Sequence, residues 1–142
     1  MSKADPLIKA ALTARSRAYA PYSDFLVGCA IESGEGKIAV GANMENACYR
    51  LGVCAEQSAL AAAQQAFGLA NIRRLAIVGG PRDAATSVAG EAVTPCGGCR
   101  QAILEAADEA GADLEIICCD HNGNSTMHTT IKALLPNSFT LK

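Results

Sequence analysis

Three cysteines and one glutamate stand where two helices would begin. Cys54-Ala55-Glu56 opens one run of helix-forming residues, and Pro95-Cys96-Gly97-Gly98-Cys99 opens another. A helix N-terminus presents unpaired amide N–H groups and favours negative charge. It therefore favours thiolate, the form of cysteine that binds metal. Gly97 and Gly98 are expected to let the backbone turn tightly, so that Cys96 and Cys99 aim at one ion with Cys54 as a third ligand. Three protein ligands leave one position of a tetrahedral zinc open, the pattern of a catalytic site. Water held there ionises near neutral pH. Glu56, two residues from Cys54, is close enough to take that proton and pass it on without binding the metal. Each piece alone is weak: Cys-x-x-Cys also serves redox pairs and structural zinc, and a first-turn Glu often only answers the helix dipole.

The elements that must position these groups are legible. Asp5-Pro6 reads as a helix cap with proline in the first turn, and that helix is expected to run to about Tyr19 before Ala20-Pro21 breaks it. Residues 26–31 and 37–42 read as strands joined by a turn at Gly34-Glu35-Gly36. Residues 43–53 form a polar loop. The run 55–67 is rich in good helix formers and Gly68 stops it. Residues 74–78 read as a buried strand, 80–95 as an irregular connection, and 97–110 as a second core helix ended by Gly111. Residues 114–119 are an apolar strand and 126–130 a last strand. Residues 131–135 form a short helical turn before Pro136. Strands alternating with helices predict one α/β layered domain over residues 1–142.

Composition narrows the function. Seven cysteines without a recognisable secretion signal argue against a disulfide scaffold and for metal or catalysis. Cys29, Cys118 and Cys119 lie in apolar strand-like runs, where packing explains them better. A net charge of −2 with basic residues spread along the chain counts against a nucleic-acid partner. No apolar run is long enough to span a membrane, so a cytoplasmic protein is expected.

Ligand-x-Glu followed by Pro-Cys-x-x-Cys is the zinc deaminase signature, here with cysteine as the first ligand. The chain resembles the small homotetrameric cytidine deaminases over nearly its whole length. The segments that carry the resemblance are 20–28 (APYSDFLVG), 43–49 (NMENACY), Cys54-Ala55-Glu56, 95–101 (PCGGCRQ) and 134–139 (LLPNSF). The resemblance implies a three-layer α-β-α sandwich around a mixed, roughly five-stranded sheet. It implies one zinc per subunit on Cys54, Cys96 and Cys99, and hydrolysis of cytidine and deoxycytidine to their uracil counterparts plus ammonia. Zinc-bound hydroxide would attack C4 of the base, with Glu56 protonating N3 and then helping ammonia leave. Asn43 and Glu45 are implied to bind the ribose hydroxyls, Phe25 to pack on the pyrimidine, and backbone atoms of Ala55 to read the base edge. Tyr49 and Phe139 are implied to complete the pocket across a subunit interface. For each of these the ordinary roles, loop polarity or core packing, stand beside the functional one.

Two departures from the family pattern matter. Gln57 stands where many members carry Arg, which is thought to donate hydrogen bonds to the thiolates; Arg100 or Arg50 is the candidate to compensate. Cys29 and Cys48 replace smaller residues, and Cys48 lies near enough in sequence to be tested as a fourth thiolate. Three other functions compete: a deaminase of another aminopyrimidine such as blasticidin S, a deaminase of bases in nucleic acid, and a structural zinc module completed by Cys48, His121 or His128.

Overall fold

The structure is a computed structural model and describes residues 5–85 and 87–141. Asp5 caps α1 (Pro6–Arg15), its carboxylate accepting from the Leu7 amide at 3.0 Å. Proline sits in the first turn, where its missing N–H would have had no helical partner. The helix stops at Arg15, short of Tyr19. The next residues tighten into i→i−3 turns, Arg17 N–H to the Ala14 carbonyl and Ala18 N–H to that of Arg15. The Arg15 guanidinium donates to the carbonyls of Leu26, Gly80 and Pro81 at 2.8–3.0 Å, tying the helix end to the sheet.

Among the described residues five strands form one sheet: β1 (Phe25–Ser33), β2 (Ile38–Ala42), β3 (Ile72–Pro81), β4 (Glu115–Cys119) and β5 (Thr126–Thr130). Their order is β2-β1-β3-β4-β5. Only β3 and β4 run parallel, and α3 (Gly97–Ala110) lies between them in the chain. The other neighbours are antiparallel. The helix α2 (Ala55–Ala66) joins the β2 and β3 regions, and α4 (Ile131–Leu134) is a single turn after β5. The β1 and β3 strands are longer at both ends than the apolar runs predict, because ladder pairing extends into their polar and glycine ends.

Strand alternation divides the core into two layers. Ile31, Leu75, Ile77 and Ile116 pack with α2 and α3, whereas Ala30, Ala76, Val78 and Ile117 pack with α1. This is the three-layer α-β-α sandwich around a mixed sheet that the resemblance implied. Two glycines set how close the layers come. A Cβ at Gly28 would lie 2.1 Å from the Ala11 carbonyl oxygen of α1, and one at Gly41 would lie 2.4 Å from the Ala59 nitrogen of α2. Cys29, Cys118 and Cys119 are fully buried in these layers. Burial pushes the Cys118 thiol up to about 11 and that of Cys119 to about 12, so they behave as small apolar groups.

An ion-pair network ties the start of α1 to the sheet. Arg74 of β3 donates to both carboxylate oxygens of Asp5, at 2.9 and 3.1 Å, and to Glu32 of β1. Hydrogen bonding to Arg74 lowers the Asp5 pKa below its ordinary value, against opposing burial. A lowered folded-state carboxylate stabilises the fold above its unfolded pKa, near 3.9, and loses that contribution as pH falls through the lower folded value. We predict that Arg74→Met costs about 1 kcal/mol at neutral pH. It also flattens the fall in stability below about pH 4. Urea midpoints measured against pH check this. Equal slopes for the variant and the parent protein would show that the network contributes nothing.

Candidate metal centre and substrate cavity

In open α/β sheets, sites form beyond the carboxyl ends of parallel strands. Here the β3–α3 connection and the first turns of α2 and α3 meet around one cavity. Cys54 is the N-cap of α2 and Cys96 the N-cap of α3, and neither side chain makes a capping hydrogen bond. Cysteine thus stands where Ser or Asp would answer the first amides, and the sulfurs are free to face each other. Cys99 lies one turn into α3, on its buried side. The Sγ atoms of Cys54, Cys96 and Cys99 all lie within 4.8 Å of one another.

This set fits zinc. Three Zn–S bonds of about 2.3 Å in tetrahedral geometry set sulfur–sulfur separations of about 3.8 Å. Soft sulfur donors suit that ion. Among the described residues no other His, Cys, Asp or Glu joins the cluster. Cys48 is exposed in the preceding loop. His121 bonds the Ala85 carbonyl, and His128 faces Glu115 at 3.6 Å on the far edge of the sheet. A fourth protein thiolate and a closed structural site are therefore not what these residues build.

Two expectations about the thiols are corrected. Gly97 and Gly98 lie in the ordinary first turn of α3, with open space at each Cβ and no positive φ. No tight glycine turn separates the cysteines; the helix itself spaces them. Nor do both helix N-termini simply lower the thiol pKa. Cys96 moves down, because the amides of Cys99 and Gly98 face its sulfur. Cys54 and Cys99 move up, chiefly because burial disfavours the thiolate and also because the Glu56 carboxylate lies near. A bound divalent cation reverses that balance by deprotonating its thiol ligands.

Glu56, in the first turn of α2, is 5 % exposed, and burial raises its pKa. It lines a cavity of about 210 Å³ with Val27, Asn43, Cys54, Ala55, Val93, Thr94 and Cys96. Burial, a shared wall with the thiols and freedom from the ligand set suit a proton carrier. The apolar and loop members of this wall, Val27, Val93 and Thr94, carry no chemical signature and could not be found from sequence.

The remaining candidates are placed unevenly. The Asn43 amide is already engaged: its oxygen accepts from Val27 N–H and its nitrogen donates to the Phe25 carbonyl, each at 2.9 Å. One lone pair and one N–H remain for another partner. The Glu45 carboxylate accepts from the Tyr22 and Ser23 amides and from the Ser23 hydroxyl. That hydroxyl, then the amides, hold its pKa down. Phe25 starts β1 and lines an adjoining cavity of about 250 Å³ that shares Val93. Tyr49 and Phe139 are 88 and 69 % exposed and line neither space.

Gln57 takes the place expected of a thiolate donor, its Nε2 lying 3.6 Å from Cys99 Sγ. Arg100 does not compensate for the missing charge: its guanidinium donates to the carbonyls of Pro95 and Leu134. Arg50 lies in an exposed turn. Groups that hydrogen-bond metal ligands typically change metal affinity about 10- to 100-fold. Gln57→Leu is therefore predicted to release zinc about tenfold faster to a chelator, and Gln57→Arg to hold it more tightly. Identical release from all three proteins would remove position 57 from the control of the metal.

The chain matches the family described as the cytidine and deoxycytidylate deaminase zinc-binding region over residues 1–111. It is 37% identical over 134 residues to a cytidine deaminase of Halalkalibacterium halodurans, covering 94% of this chain and 92% of that protein. It is 36% identical over 131 residues to one of Mycobacterium tuberculosis, covering 92% and 85%. The crystal structure of cytidine deaminase from Burkholderia pseudomallei superposes with a TM-score of 0.79 at 36% identity, covering 94% of this chain and 96% of that one. That from Mycobacterium leprae gives 0.69 at 35%, covering 94% and 97%. The three converging thiols suit the zinc-binding region that this family match describes, and on these matches the chain belongs to the cytidine and deoxycytidylate deaminase zinc-binding family.

Proposed function

We propose that this protein hydrolyses cytidine and deoxycytidine to uridine and deoxyuridine, releasing ammonia. The observation that carries the reading is a buried carboxyl, Glu56, in the same cavity wall as two of three converging thiols. Cys54, Cys96 and Cys99 would hold zinc, which would acidify a water so that it can act as a nucleophile near neutral pH. The rest falls to the chain. Glu56 would take one proton from the attacking water and give it to N3 as the water oxygen bonds to C4; it would then take the second proton from that oxygen and pass it to the amino group, which leaves as ammonia as the C4–N bond breaks. Burial keeps its carboxyl closer to the working pH than a surface glutamate would be, which helps it both take and give.

Substrate contacts follow from the same reading. Backbone atoms of Ala55 meet the base edge, and Phe25 packs on the pyrimidine from the adjoining space. Asn43, held rigid by β1, uses its remaining lone pair and N–H on the ribose, and Glu45 accepts from a ribose hydroxyl. A rigid polar pair of this kind rejects ligands that lack the hydroxyl it was built to meet. Tyr49 and Phe139 reach the pocket of a neighbouring subunit in a homotetramer. The exposure of Tyr49, with that of Leu51 and Met44 in the same part of the chain, supports a covered face, and Phe139 is exposed as well. No helix among the described residues is long and apolar enough to cross a membrane. The activity suits pyrimidine salvage in the cytoplasm.

Ultraviolet-monitored turnover of cytidine, deoxycytidine and blasticidin S, with zinc quantified on the same sample, tests this. About one zinc per chain with turnover of the two nucleosides is expected. Zinc at that ratio with turnover of blasticidin S alone, or of none, discards the nucleoside reading and keeps the metal site.

A further inference from the structure

We propose that Asp120 and His121 are positioning residues that latch the β3–α3 connection in place, so that its Val93–Thr94 segment forms the wall of the substrate cavity. The inference rests on the deaminase reading only for what fills that cavity. Between the end of β3 and the start of α3, the described residues form neither helix nor strand. A connection of this length is costly to order and holds one shape only where it is pinned.

The pins are two consecutive residues just beyond β4. Asp120 is fully buried. One of its carboxylate oxygens accepts from the Gly90 amide at 2.8 Å, the other from the Asn124 amide at 2.8 Å. A buried carboxylate is tolerated only when amides of this kind replace its water. His121 Nε2 lies 2.8 Å from the Ala85 carbonyl. A carbonyl only accepts, so Nε2 carries the proton. The imidazole is gripped between two glycines: a Cβ at Gly80 would lie 2.6 Å from His121 Cβ, and one at Gly90 would lie 3.0 Å from its Nδ1. The ring therefore fits only because β3 and the connection both lack side chains where they meet it.

Three residues beyond Gly90 the consequence reaches the site. Val93 N–H donates to the Cys119 carbonyl at 3.1 Å. Val93 and Thr94 then line the cavity beside Cys54, Glu56 and Cys96. Gly90 to Val93, with Phe25 and His121, line the adjoining space. Neither Asp120 nor His121 lines the cavity that holds the thiols and Glu56. Asp120 acts on substrate through the connection it holds, and His121 through that connection and the adjoining space it lines.

The test compares zinc-loaded His121→Leu, His121→Gln and Gly90→Ala with the parent protein. His121→Leu removes the donor, and His121→Gln restores an amide donor of similar reach. Gly90→Ala perturbs the latch from the connection's side, its Cβ meeting His121 Nδ1 at 3.0 Å and Asp120 Cβ at 3.5 Å, and leaves both of those residues unchanged, which spares the test from Asp120 variants that fail to fold. Hydrogen exchange over residues 84–94, zinc content, and KM and kcat for cytidine are read together. His121→Leu and Gly90→Ala should speed exchange there and raise KM about tenfold, with kcat within about twofold and zinc retained. His121→Gln should recover most of both effects. The latch is overturned if exchange and KM stay at parental values, if the loss falls on kcat and zinc instead, or if His121→Gln behaves like His121→Leu. Faster exchange in the variants of a protein whose parent turns over neither nucleoside sinks the deaminase reading and keeps the latch.

Discussion

Glu56→Gln is expected to keep its zinc and its fold and to lose about three to four orders of magnitude in kcat. Gln is nearly isosteric with Glu and can still hydrogen-bond, but it cannot carry a proton at any working pH. The position makes the substitution clean. Glu56 is buried in the first turn of α2, shares the cavity wall with Cys54 and Cys96, and stands outside the set of converging sulfurs. Ground-state contacts to the pyrimidine survive the change, so the loss should fall on kcat far more than on KM. Initial rates on cytidine, with metal content measured in parallel, decide it. Retention of kcat within about tenfold would move the proton transfers to solvent or to another group. Loss of zinc with the activity would make Glu56 a ligand, against the geometry.

Cys99→Ala is expected to abolish turnover by another route, through loss of the metal itself. Cys99 is fully buried on the inner side of α3, and burial pushes its thiol pKa up. Only a cation among the three sulfurs makes its thiolate favourable there. Removing it leaves two cysteines at helix ends, one of them exposed, and a pair of ligands binds zinc too weakly to survive purification. Zinc should fall below about a tenth of an ion per chain. Thermal unfolding should become insensitive to chelators, whereas the parent protein should lose stability when its zinc is stripped. Cys48→Ser is the control: its sulfur lies outside the cluster, so zinc and turnover should match the parent. Loss of zinc from Cys48→Ser would reopen the question of a fourth thiolate.

What the sequence by itself determined is local. The Asp5-Pro6 cap, the stop at Gly68 with φ +84°, the left-handed Gly111 and the span 97–110 of α3 all read correctly. Each depends on backbone preferences and hydrogen bonds within one or two turns. The metal-binding set was equally legible, because three cysteines at two helix starts, in a zinc-family pattern, admit few uses. Tertiary structure decided the rest. It excluded Cys48 from the cluster, turned Arg100 away from the thiols, and raised the Cys54 and Cys99 pKa values where the helix ends alone would have lowered them. It placed the needed glycines at 28 and 41, where helices press on the sheet, and made those at 97 and 98 dispensable to the turn. It joined Gly90 to Asp120 and Ala85 to His121. None of these has a local signature. Burial and convergence come from the strand order β2-β1-β3-β4-β5. That order sets the connection leaving β3 beside the residues leaving β4, some 30 positions further along the chain.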